Sequence, residues 1–144
     1  MPRILVVDDE AEIRDLIWRV LAREGYQVDT AVHGAAALGI LGARAYDLVI
    51  CNVRMPVMDG PTLYGQVLGT DGAQASRFLF CTGDIVSSDV RSFLLGINQP
   101  VLTKPFSISS LRETVRRFLA EPAGGRWPLA HFPEERLVTP PCPA

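Results

Sequence analysis

Short apolar runs recur along the chain at Ile4-Leu5-Val6-Val7, Leu48-Val49-Ile50-Cys51, Phe78-Leu79-Phe80-Cys81 and Val101-Leu102. They are unbroken rather than alternating, which predicts strands covered on both faces. Gln27–Ala31 predicts one more strand. Between the runs the period changes. Ile13, Leu16, Ile17, Val20 and Leu21 fall at three-to-four spacing and predict an amphipathic helix from about Ala11 to Arg23, which Gly25 stops.

Further helices are expected over Ala35–Ala43, from Pro61 towards Leu68, and over Ser88–Leu95 with Gly96 near its end. A last helix carries Leu111, Val115, Phe118 and Leu119 and ends near residue 120; Ser107 or Ser109 could cap it. Five strands alternating with five helices predict a three-layer, doubly wound α/β domain with a parallel sheet and right-handed crossovers. In such sheets ligands gather at the carboxyl ends of the strands.

A chain of 144 residues with 48% hydrophobic and 21% charged residues is expected to form one globular domain. We place that domain at residues 1–121 and a Pro-rich tail at 122–144. The tail crowds Pro122, Pro128, Pro133, Pro140, Pro141 and Pro143 beside Gly124 and Gly125, which excludes regular helix or strand. A disordered tail is one expectation; against it, Trp127, Leu129 and Phe132 could anchor on an apolar groove. After residue 120 too little chain remains for a DNA-binding or enzymatic module, so the expectation is output through protein contacts, or a role as a relay or sink.

The net charge of −2 supplies no basic excess for nucleic acid. No apolar run approaches the length of a membrane span, and Arg3 followed by a short run and acids is not a signal peptide. Cys51, Cys81 and Cys142 are odd in number and lack the spacing of a disulfide framework or, with His33 and His131, of a metal cluster. A cytoplasmic location is the expectation.

Four of the five predicted strand ends carry polar residues. They are Asp8-Asp9-Glu10 after the first, Asn52 after the third, Thr82 after the fourth and Thr103-Lys104-Pro105 after the fifth. On one sheet edge, two adjacent carboxylates facing a lysine suit a hard divalent cation and a phosphoryl group. Magnesium takes oxygen ligands and keeps several waters, while a lysine and a hydroxyl bind phosphoryl oxygens. Taken alone, Asp8-Asp9 is also consistent with a solvated helix cap, Lys104 with a surface lysine and Thr82 with a turn cap.

Asp8-Asp9, the stretch Asn52-Val53-Arg54-Met55-Pro56-Val57-Met58-Asp59-Gly60, Thr82-Gly83 and Lys104-Pro105-Phe106 resemble, in order and spacing, the motifs of response-regulator receiver domains of two-component signalling. The likeness covers about residues 3–120. It implies a flavodoxin-like fold with strand order 2-1-3-4-5. It implies that Asp8 and Asp9 form an acidic pocket for Mg2+, with Asp9, the carbonyl of Arg54 and position 52 as ligands. It implies that Thr82 is a switch hydroxyl, that Lys104 pairs with the phosphoryl group, and that the peptide between Lys104 and Pro105 is often cis. Implied partners are a histidine kinase or phosphotransfer protein and a downstream protein. Binding, or homodimerisation of an otherwise monomeric chain, would use the face of the fourth helix, fifth strand and fifth helix, where Val101, Phe93 and Leu111 are candidates.

The chain departs from the family twice. The family's phosphate-accepting aspartate is here Asn52, and an amide has no anionic oxygen with which to attack phosphorus. Phosphotransfer should fail there and Mg2+ should bind more weakly. Position 52 is open to three readings: natural loss in a phosphate-independent pseudo-receiver, an engineered block, or a site adapted to another acceptor such as Thr82 or Asp59. The second departure is Val101, where many members carry an aromatic residue that moves with the switch.

Two further expectations concern neighbours. Arg54 and Asp84 could pair across the pocket mouth, and Cys51 and Cys81 should point to the same sheet face as buried thiols. No catalytic triad is evident and the chain is not expected to be an enzyme.

Overall fold

The structure is a computed structural model that describes residues 1–83 and 86–120. The expected Pro-rich tail and its candidate anchors Trp127, Leu129 and Phe132 lie outside the described residues. In chain order the elements are β1 (Arg3–Val7), α1 (Ala11–Arg23), β2 (Gln27–Ala31), α2 (Gly34–Ala43), β3 (Leu48–Asn52), α3 (Gly60–Thr70), α4 (Gly72–Ala75), β4 (Phe78–Thr82), α5 (Ser88–Leu95), β5 (Val101–Thr103) and α6 (Ile108–Ala120). All strand pairs are parallel and the order is β2-β1-β3-β4-β5.

The continuous apolar runs are explained by burial on two sides. Leu5, Val7, Val49, Cys51, Phe78, Phe80 and Val101 face one core, closed by Ala37 of α2, Leu63 and Val67 of α3 and Val90 and Leu94 of α5. Their alternate neighbours Ile4, Val6, Ile50, Leu79, Cys81 and Leu102 face the other, closed by Ile17 and Leu21 of α1 and Leu111, Val115 and Phe118 of α6. Phe80 meets Phe93 edge to face with ring centroids 5.1 Å apart, and Tyr64 meets Phe80 at 5.6 Å. Such pairs contribute about 1 kcal/mol each beyond the area they bury.

Several expectations are corrected. Cys51 and Cys81 do not share a face. Cys51 is in register with Phe80 and Asn52 with Cys81, so the one-residue offset sends the two thiols to opposite cores. The helices number six among the described residues, not five. Asp71 accepts from Gln74 N at 3.1 Å and starts the extra turn α4. The buried Gln74 side chain then accepts from the main-chain N–H of Tyr46 and donates to its carbonyl, at 2.8 and 3.0 Å.

Of the residues proposed for the face of α5, β5 and α6, Val101 and Leu111 are buried core and Phe93 is half-buried. Leu95 and Ile108 are the exposed apolar side chains on those helices. Ser107 caps α6, accepting from Ser110 N at 3.0 Å.

Candidate functional site

The polar residues expected at the strand ends are, for three strands, their last members: Asn52 of β3, Thr82 of β4 and Thr103 of β5. Sheet register fixes their level. Asn52 sits opposite Cys81, Thr82 opposite Thr103, and the Lys104 N–H donates to the Thr82 carbonyl at 2.8 Å. Asp8 follows β1 directly and its N–H donates to the Ala31 carbonyl at 3.2 Å. The acids, the amide, the hydroxyl residue and the lysine therefore meet at one end of the sheet.

Asp8 is 1% exposed, and a buried carboxylate must be paired and hydrogen-bonded. Its Oδ2 accepts from Lys104 Nζ at 3.0 Å, and its Oδ1 accepts from Glu10 N at 2.9 Å and from Asn52 Nδ2 at 3.4 Å. Lys104 Nζ also donates to Glu10 Oε1 at 3.0 Å. Burial pushes the Lys104 ammonium down, but the Asp8 and Glu10 carboxylates outweigh it and hold the group above its ordinary value. Asn52 Nδ2 has two more acceptors, Asp9 Oδ1 at 3.3 Å and the Arg54 carbonyl at 3.1 Å. The peptide between Lys104 and Pro105 is cis.

The loop after β3 folds back over its end. Gly60 N donates to the Val53 carbonyl at 2.9 Å, and a Cβ on Gly60 would lie 2.5 Å from the Asn52 carbonyl oxygen. Only glycine fits that approach. Gly34 makes a similar approach to Met58, whose carbonyl oxygen a Cβ would meet at 2.5 Å. Val57 is left-handed, with φ of 68°, and is 78% exposed.

The structure thus joins Asp8, Asp9, Asn52, Arg54 and Lys104 by direct hydrogen bonds, with Thr82 on the neighbouring strand end. Sequence reasoning missed the anchoring role of Glu10; its position two residues after Asp8 was the available signal. It also missed Asp89 of α5 as a partner of Arg54, whose guanidinium it meets at 3.2 Å. The expected pairing partner Asp84 lies outside the described residues. Among the described residues no three His, Cys, Asp or Glu side chains form a metal cage, and no helix is long and apolar enough to cross a membrane.

Sheet order and this recess define a flavodoxin-like α/β protein with its polar centre at the strand ends. The chain belongs to the response-regulator receiver domain family, whose model matches residues 4–116. It is 33% identical over 117 residues to the response regulator MprA of Mycobacterium tuberculosis, covering 81% of this chain and 50% of that protein. The chain therefore spans about half the length of the curated relatives it matches.

Among solved structures it resembles the Vibrio cholerae chemotaxis protein CheY4, with a TM-score of 0.72 and 30% identity over 82% of this chain and 98% of that one. It also resembles the response regulator TrrA from Thermotoga maritima in complex with Mg(2+)-BeF, with a TM-score of 0.70 and 33% identity over 82% and 99%. Receiver domains are signalling domains of two-component systems.

Proposed function

We propose that this chain is a receiver that signals through protein–protein contacts and whose phosphotransfer is blocked or altered at Asn52. The observation that carries the reading is the position of the Asn52 amide: between Asp8, Asp9 and the Arg54 carbonyl, with Lys104 paired to Asp8 at 3.0 Å. An acceptor aspartate in that place would be flanked by a cation site and an ammonium, the two sources of charge needed to bring a phosphoryl group to a carboxylate. Asn52 keeps the shape and lacks the nucleophile.

In this reading Lys104 and Thr82 meet phosphoryl oxygens. Asp8, Asp9, Asn52 and the Arg54 carbonyl are the set that would hold a divalent cation. Two carboxylates and carbonyl oxygens are a hard donor set, and magnesium, which completes its shell with water, fits them better than metals that need a dense protein cage. When bound, the ion would neutralise charge on phosphoryl oxygens. The TrrA complex with Mg(2+)-BeF supports this assignment by analogy. With Asn52 in place of a carboxylate the affinity of the site for the ion is lowered. A histidine kinase or phosphotransfer protein on the input side, a downstream protein on the output side and a cytoplasmic location follow from the same reading. Leu95 on α5 and Ile108 on α6 are exposed large apolar side chains on the face expected to meet a partner or a second copy.

A second reading, a phosphate-independent pseudo-receiver that acts as an interaction module, is favoured by one observation. The recess satisfies its own buried groups, and among the described residues no buried side-chain nitrogen or oxygen lacks a partner.

The test is incubation of the chain and of Asn52→Asp with acetyl phosphate and Mg2+, read by intact-protein mass spectrometry and partner binding. An adduct on Asn52→Asp alone that changes partner binding supports the first reading. An adduct without effect on binding supports the second. No adduct on either chain sinks the assignment of position 52.

A further inference from the structure

Asn52 is more than a missing nucleophile. Its side-chain nitrogen lies 3.4 Å from Asp8 Oδ1, 3.3 Å from Asp9 Oδ1 and 3.1 Å from the Arg54 carbonyl oxygen. Three oxygens from three residues converge on one atom at nearly equal distance. An amide nitrogen carries two hydrogens and no accepting lone pair, so this is the one orientation in which the side chain attracts all three. The opposite orientation would turn its oxygen towards three acceptors. The remaining oxygen of Asp8 is held by Lys104 at 3.0 Å.

We propose that the Asn52 amide is the resident occupant of the cation position: a built-in donor that excludes a divalent ion rather than binding one weakly. The inference rests on the reading of the recess as a cation site. A magnesium ion sits about 2.0–2.1 Å from its oxygen ligands. An ion drawn in by Asp8, Asp9 and the Arg54 carbonyl would need the space the amide fills. Entry therefore requires the Asn52 side chain to turn away, with loss of its contacts to two carboxylates. Hydrogen bonds to charged groups contribute more than neutral ones, so the loss is substantial. The chain is thereby held in a single, cation-independent state of the pocket.

A ligand with reduced charge and an occupant predict opposite results when the side chain is deleted. If Asn52 merely coordinates poorly, Asn52→Ala removes a ligand and weakens Mg2+ binding further. If Asn52 fills the position, Asn52→Ala vacates it while Asp8, Asp9 and the Arg54 carbonyl remain.

Calorimetric titration with Mg2+ alone is expected to show Asn52→Ala binding about tenfold tighter than the unaltered chain, and Asn52→Asp tighter again. A second measurement needs no variant. In nuclear magnetic resonance spectra the Asn52 side-chain amide protons should exchange with water more slowly than those of the exposed Asn98, and stay unmoved by millimolar Mg2+.

Binding to Asn52→Ala no tighter than to the unaltered chain overturns the inference, as does an Asn52 amide that exchanges as fast as Asn98. If Asn52→Asp binds Mg2+ while Asn52→Ala gains nothing, only the occupant role falls. If Asn52→Asp also fails to bind, the cation-site reading falls with it.

Discussion

Lys104 and Asp8, 96 residues apart in sequence, meet at 3.0 Å in a recess where the Lys104 side chain is 13% exposed and that of Asp8 is 2% exposed. Coulomb attraction across so little water is strong, but removing either charge from water is costly, so the pair holds mainly against the loss of one member. Lys104→Met leaves a buried carboxylate with only the Glu10 N–H and the Asn52 amide as donors. It should destabilise the fold by about 3 kcal/mol in urea titration. A loss under ~1 kcal/mol would mean that the ammonium does little for Asp8.

Stability should fall on the alkaline side. Burial raises the Cys51 thiol well above 9.0 and the Cys81 thiol to about 12. Burial and then Asp29, whose Oδ2 accepts the phenol proton at 2.6 Å, raise Tyr46 to about 12. Lys104 also lies above its ordinary value of 10.5. Each group keeps its proton in the folded chain after the unfolded chain has released it. The unfolded state then binds fewer protons, and stability declines as pH rises. The contribution is complete below the ordinary values of 9.0 for the thiols and 10.0 for Tyr46 and shrinks above them. Melting temperature should be insensitive to these groups below the thiol value and drop above it. Cys81→Val should flatten the first part of that drop.

Gly60→Ala places a Cβ 2.5 Å from the Asn52 carbonyl oxygen, which is main chain and cannot swing aside. Either β3 or the returning loop must shift. The expected cost is about 2 kcal/mol by chemical denaturation, with chemical-shift changes confined to the site. Gly39→Ala is the control. A Cβ there meets nothing within 4 Å, and alanine favours the helix.

Val57 holds φ at 68° with a β-branched side chain that is 78% exposed. A left-handed backbone costs such a residue about 1–2 kcal/mol, and asparagine tolerates it. Val57→Asn should therefore raise the melting temperature, by about 1 kcal/mol in stability. An unchanged or lower value would mean that the valine contributes something the left-handed turn does not explain.

The Arg54–Asp89 pair joins the loop after β3 to the first turn of α5, but both side chains are more than half exposed. A double-mutant cycle with alanine should return a coupling of no more than about 0.5 kcal/mol. A value above ~1.5 kcal/mol would make the pair a true brace between position 52 and α5.

The chain's hydrophobic order by itself indicated alternating strands and helices; the strand order was implied by the family resemblance. Four short unbroken apolar runs fit strands buried on both faces, and the periodic segments between them supply the covering helices. The polar residues ending those runs were legible as a site because parallel strands bring their carboxyl ends to one edge. Tertiary structure decided what spacing cannot encode. A one-residue register offset sent Cys51 and Cys81 to opposite cores, although each looks alike in its run. Burial of Gln74 against Tyr46 accompanied a helical turn too short to show a period. The direction of one amide, with its nitrogen turned towards Asp8, Asp9 and Arg54, was set by acceptors from three separate segments. A sequence names the groups that can bond; only their convergence in space selects which bonds are made.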